Sequence, residues 1–167
     1  VKQVNGGKLG IGGVISQDGK YVALSNYVPG EVRILDADTL ELVKTIPALY
    51  TDASGKDGKE LPSRVVGLVD APGNLLVFSL MDANSIWVVD AGKKEFPVIR
   101  KFADVGKTPY DALISPDGRY YLTGFWTRIG WDFSTCGSSI GSRRFSRSRA
   151  RAPRFRYGRF RISKAGR

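Results

Sequence analysis

The 167-residue chain contains no histidine, a single cysteine (Cys136) and a single methionine. Without histidine there is no Ser–His–Asp triad and no imidazole to ligate zinc or heme iron, so iron-centred chemistry cannot be assigned to these residues. One cysteine excludes an intrachain disulfide and a cysteine-based metal site, and it leaves the compartment open. A phosphate-cradling G-x-x-x-x-G-K-[ST] loop is missing as well, so the chain as written carries no catalytic motif. No signal peptide, lipidation signal or transmembrane run is legible, and the chain opens at Val1 without a methionine, as a fragment does. Apolar residues do not recur with a helical period over any long window.

What is present divides in two. The stretch SRRFSRSRARAPRFRYGRFRISKAGR from Ser142 interleaves arginine with serine and aromatics. From Thr127 onward there are 12 Lys and Arg against the one acid Asp132. Of the 26 basic and 16 acidic residues in the whole chain, that leaves 14 and 15 for residues 1–126. The formal charge of +10 therefore belongs to the tail, and the body, at −1, offers no electrostatic case for nucleic acid. With 42% hydrophobic and 11% aromatic residues, the chain is long and apolar enough to bury a core.

The body repeats. GGVISQDGKYVALSNYVPGEVRILD from Gly12, VVGLVDAPGNLLVFSLMDANSIWVVD from Val65 and DALISPDGRYYLTGFW from Asp111 each read as an apolar strand, a turn closing on Gly19, Gly73 or Gly118, and a second apolar strand. In the first two units a third strand ends in Asp36 or Asp90, 17 residues past the turn glycine, and a fourth follows in LELVKTIPA and FPVIRKFA. Four short strands per unit, separated by turn residues, are the pattern of β-propeller blades, whose faces are buried only against one another. The expected fold is all-β: about two and a half four-stranded blades over residues 1–126, then an irregular basic tail over 127–167. The recurring Asp18, Asp36, Asp90 and Asp117 read as turn formers, and Asn26, Tyr27 and Pro29 as a hairpin loop.

After Trp126 the residues TRIGWDFSTC show neither the alternation nor the acid at position 135 that the blade spacing asks for. The genetic code permits codons for Trp126–Gly137 that, read one base earlier after Trp126, give DEDRLGLLDLW, with an aspartate at position 135. The same shift over Tyr157–Arg167 permits VWKIPHLEGWA. A frameshift after Trp126 is therefore expected, with a disordered basic segment or an Arg/Ser-rich nucleic-acid arm as the alternatives for 127–167.

VRILDADTLELVKTIPA, SRVVGLVDAPGNLLVFSLMDANSIWVVD and VGKTPYDALISPDGRYYLTG resemble the NirF-type propellers of heme d1 biosynthesis, relatives of the d1 domain of cytochrome cd1 nitrite reductase. The resemblance covers nearly all of residues 1–126. It implies an eight-bladed ring, within the usual four to eight, that holds heme d1 or its dihydro precursor on the axis in the periplasm. Such a protein serves late maturation of the nitrite reductase cofactor in denitrification, as a carrier of the precursor or an aid to its oxidation. Other maturation proteins or nitrite reductase are its implied partners.

A ligand on a propeller axis meets the starting ends of the innermost strands, which brings forward Lys8, Ser63, Arg64, Tyr110 and Asp111. Heme d1 carries carboxylates, and the planar fork of arginine binds a carboxylate through two charge-assisted hydrogen bonds. Arg64, standing directly before an apolar strand, leads this set, with a structural ion pair as its alternative role. Tyr110 offers a ring to stack or a hydroxyl to donate, or simply packing; Asp111 orients a donor or caps a turn; Lys8 is otherwise a loop residue. The competing function is a cofactor-free propeller used as a protein-interaction platform.

Overall fold

The computed structural model describes residues 2–51, 58–127 and 130–137, with side chains through Trp126. The first unit holds β1 (Lys8–Ile15), β2 (Tyr21–Val28), β3 (Glu31–Asp36) and β4 (Leu42–Pro47), paired in that order as an antiparallel meander. A two-stranded hairpin follows, β5 (Leu49–Thr51) with β6 (Glu60–Pro62). The second unit repeats the meander with β7 (Val65–Ala71), β8 (Leu75–Leu80), β9 (Ser85–Asp90) and β10 (Val98–Phe102). The third contains β11 (Pro109–Ile114), β12 (Tyr120–Thr127) and β13 (Gly130–Gly137). These are three consecutive propeller blades, and the β5–β6 hairpin accounts for the longer repeat offset between the first two.

The turns form for the reasons legible in the residues. Gly19, Gly73 and Gly118 all sit at positive φ (73°, 87° and 71°), a conformation that costs glycine nothing. Asp18 accepts hydrogen bonds from the Ser16 hydroxyl and the Lys20 amide, and Asp117 does the same with Ser115 and Arg119. Asp36 accepts from the Asp38 and Thr39 amides, and Asp90 from the Gly92 amide. The four recurring aspartates are turn formers, as expected.

Two cores lie between the blades. The alternation of a strand sends successive side chains to opposite faces, so Leu76, Phe78, Leu80, Trp87 and Val89 of the middle blade meet Ala23, Val32, Ile34 and Ile46 of the first. The residues between them, Val77, Ile86 and Val88, turn the other way to Tyr121 and Phe125 of the third. This is why β8 and β9 read as continuous apolar runs: both of their faces are buried.

Strand pairing extends to Gly137 rather than ending at Trp126. β13 lies against β12 without a register break from Tyr120↔Gly137 to Thr127↔Gly130 and forms the third strand of its blade, where the sequence reading looked for none. Trp131, Phe133 and Thr135 are strand-prone residues, and the open edge of β12 supplies the hydrogen-bond ladder they need. The remaining Arg/Ser-rich stretch, to which the nucleic-acid alternative attaches, lies outside the described residues.

Candidate functional site

The starts of β7 and β11 and the ends of β2, β8 and β12 meet at one edge of the three blades, and close backbone approaches hold them there. At Gly30, in the turn after β2, a Cβ would lie 1.8 Å from the Ser63 carbonyl oxygen. Only glycine lets the chain pass so closely, and the Ala48 amide donates to Gly30 while the Ser63 amide donates to Ala48. Gly67 plays the same part on the other side of the middle blade. It lies at φ +55° where β7 bulges between Val66 and Val69, and a Cβ there would be 2.7 Å from the Tyr110 carbonyl oxygen.

These approaches assemble a belt of side chains drawn from all three blades. Arg64 donates from Nε to both carboxylate oxygens of Asp82 (3.1 and 3.0 Å) and from Nη2 to Oδ1 (2.5 Å). Its backbone N–H also donates to Asp82 Oδ2, at 2.9 Å. The guanidinium carbon lies 5.8 Å from the centre of the Tyr27 ring. The Tyr27 hydroxyl donates to the Tyr110 hydroxyl at 3.1 Å, and the Tyr110 ring packs against Trp126 with centroids 5.0 Å apart. Trp126, 56% exposed, forms the open end of this row.

The electrostatics follow from the contacts. Burial pushes the Asp82 carboxyl up, but hydrogen bonds from the Arg64 side chain and backbone, together with its charge, outweigh burial and leave it below the usual carboxylate range. Arg64 is raised in turn, chiefly by its hydrogen bonds to Asp82, so the pair is doubly ionised at neutral pH. Tyr27 is pushed up to about 12, first by burial and then by its hydrogen bond to Tyr110, so its hydroxyl keeps its proton and acts as a donor.

The five expected site residues divide sharply. Arg64 and Tyr110 are brought together through Tyr27, and Arg64 makes the ion pair that was its alternative role. Ser63 is fully buried, and its hydroxyl accepts hydrogen bonds from the Asp82 and Ala83 amides at 3.0 and 3.2 Å, so it builds the turn that carries Asp82. Asp111 is exposed; its carboxylate accepts from the Ala112 amide next to it, and its carbonyl accepts from Thr123. Lys8 is exposed at the start of β1, across the ladder from Val28.

Sequence reasoning missed Tyr27, Asp82 and Trp126. The signal was there: Tyr27 and Trp126 both stand eight residues past their turn glycines, Gly19 and Gly118, and Asp82 is one residue beyond the matching position, Met81. The ends of the second strands are thus repeat-equivalent positions that all face the same edge.

A family model described as the cytochrome D1 heme domain matches residues 1–153. The protein NirF of Pseudomonas aeruginosa is 54% identical over 129 residues, and that of Stutzerimonas stutzeri 42% over the same length; in both cases the match covers 77% of this chain and 32% of the relative. The chain thus spans about a third of the length of these curated relatives. Among solved structures, the dihydro-heme d1 dehydrogenase NirN in complex with DHE superposes with a TM-score of 0.60 at 31% identity, over 78% of this chain and 26% of that one.

Proposed function

The chain belongs to the cytochrome D1 heme domain family, and on that premise we propose that its three-blade belt contacts heme d1 or the dihydro precursor, in the biosynthesis of the nitrite reductase cofactor for denitrification. The observation that carries this reading is a guanidinium still 43% exposed, held beside an open aromatic row at the shared edge of three blades. The residues fit such a group. A flat macrocycle with carboxylates wants ring faces to lie against and a fork for an acid, and Trp126 with Tyr110 offers the first while Arg64 offers the second.

When bound, the tetrapyrrole supplies iron-centred redox chemistry; the residues of this chain bind and orient it. Arg64 takes a carboxylate, Tyr27 keeps the Tyr110 hydroxyl in place, and the buried turn of Ser63 and Asp82 keeps the arginine from swinging into water. A periplasmic location, and partners among other heme d1 maturation proteins or nitrite reductase, belong to the same proposal. So does a frameshift after Trp126, which the coding DNA tests directly: a stop codon in the adjacent frame before the end of the chain defeats it.

Titration of the protein with heme d1, or with a carboxylated porphyrin in its place, tests the site. Arg64→Ala is expected to weaken binding by about 1.5–3 kcal/mol, the range for a hydrogen bond to a charged group. Arg64→Lys recovers part of that loss, because an ammonium has no fork. The melting temperature of the ligand-free protein should move little, since a half-exposed ion pair contributes only about 0–1 kcal/mol. Equal affinities for parent and Arg64→Ala remove Arg64 from the site, and a collapse of ligand-free stability reassigns it to holding the fold.

A further inference from the structure

A guanidinium carries five N–H donors. Asp82 takes those along one side of Arg64, the Nε hydrogen and one on Nη2. The hydrogens at the far end, two on Nη1 and the second on Nη2, have no acceptor among the described residues, and the side chain is 43% exposed. Asp82 is itself immobilised. One oxygen accepts from the Arg64 backbone N–H at 2.9 Å, its own N–H donates to the buried Ser63 hydroxyl at 3.0 Å, and its carboxylate is 27% exposed. The Tyr27 ring closes one face of the guanidinium. A long, flexible side chain is therefore fixed in one orientation, with one edge spent and the other presented.

We propose that Asp82 is a positioning residue, which clamps Arg64 along its Nε–Nη2 side so that the opposite Nη1–Nη2 edge is aimed at a carboxylate of the bound tetrapyrrole. This rests on the reading of the belt as a tetrapyrrole site. Its physical basis is preorganisation: an arginine whose rotamers are already fixed loses less freedom when the ligand arrives. Asp82 also carries a negative charge that repels the ligand's acid. The two effects oppose each other, and they separate cleanly, because repulsion survives the loss of Arg64 and positioning does not.

The test is a double-mutant cycle on the full chain, with coproporphyrin III, a tetracarboxylate, as the probe. With Arg64 present, Asp82→Ala is expected to weaken binding about three- to tenfold, the cost of immobilising one rotamer-rich side chain. Asp82→Glu, which restores the acid, should recover part of that. In an Arg64→Ala background the same Asp82→Ala change should leave binding unchanged or tighten it. A second readout needs no ligand: the 15N–1H signal of Arg64 Nε should be sharp in the parent and lost to exchange in Asp82→Ala.

Equal weakening in both backgrounds marks a general fold defect and overturns the proposal. Tighter binding on Asp82→Ala with Arg64 present also overturns it, by making Asp82 a competitor for Arg64. If Arg64→Ala alone leaves coproporphyrin affinity untouched, the tetrapyrrole reading fails instead. The clamp is then decided by the Nε signal, and a signal that stays sharp in Asp82→Ala refutes it.

Discussion

The middle blade and its two neighbours are built from the same meander, yet they present different surfaces. β7, β8 and β9 are buried on both faces, whereas β1 is exposed along nearly its whole length, and Ile15 and Leu113 on the outward faces are 60% and 55% exposed. The outer strands β1 and β4 interrupt their apolar residues with glycine, lysine and threonine, as strands with a second sheet against only one face can. Stability in a propeller is thus a property of neighbouring pairs of blades more than of any one blade. The belt goes a step further: Arg64 and Tyr27 meet between neighbouring blades, while the Tyr27–Tyr110 hydrogen bond joins the first blade to the third.

Truncation should expose this asymmetry most strongly. Phe78→Ala, in the core between the first two blades, is expected to cost about 3–5 kcal/mol. Leu113→Ala on the outward face of the third should stay within about 0.5 kcal/mol. Urea denaturation of both variants reads the difference, and comparable losses would mean that the two surfaces are not distinct.

A smaller contrast lies in the glycines. Gly67→Ala places a methyl against the Tyr110 carbonyl and the Tyr121 hydroxyl in a left-handed backbone conformation, and should destabilise by about 1–3 kcal/mol. Gly19→Ala meets open space, so only the cost of its positive φ remains, about 1–2 kcal/mol. The Gly67 variant should also loosen the belt, which a weakened Tyr27–Tyr110 contact would report by NMR; an undisturbed contact would uncouple the bulge from the site.

The smallest effect is acid sensitivity. Ser115 and then Arg119 hold the Asp117 carboxyl down at about 2, and Ser16 followed by the Lys20 amide lower Asp18, whereas the equivalent middle-blade turn has Pro72, Gly73 and Asn74 and no carboxylate. A depressed carboxyl contributes stability that is complete above its unfolded value near 3.8 and is lost as pH falls through the folded value, about 2 for Asp117. Amide shifts of Lys20 and Arg119 should therefore titrate below about pH 4, and Asn74, whose side-chain oxygen accepts from the Asp18 N–H, should follow Asp18 with a smaller amplitude. A flat Asn74 would show that the hydrogen bond between the first two turns does not carry the titration.

The blade period was legible because turn chemistry is local: a glycine at positive φ and an aspartate two residues from its hydrogen-bond partner leave marks within a few positions. Arg64 and Tyr110 could be read because they adjoin inner strands. Tyr27 could not, since Asn26 before it and Pro29 after it suggest a loop, while the ladder continues to Val28. Asp82 resembles any turn aspartate, and only the approach permitted by Gly30 and the turn tied by Ser63 turn it toward Arg64. The third strand of the last blade was hidden for a different reason: its alternation, Trp131, Phe133 and Thr135, is short and lacks the closing aspartate that marks the other two blades.

The hydrogen bond between Tyr27 and Tyr110 joins residues 83 apart in the chain, while every strand ladder closes a short loop between consecutive strands. Closing the longer loop costs more chain entropy and depends on two inter-blade dockings having taken place already. In folding time the hairpins therefore come first, the pairwise docking of blades next, and the belt last. A molecule held by that belt binds only the fully docked chain, so it draws the docking equilibrium toward completion by mass action.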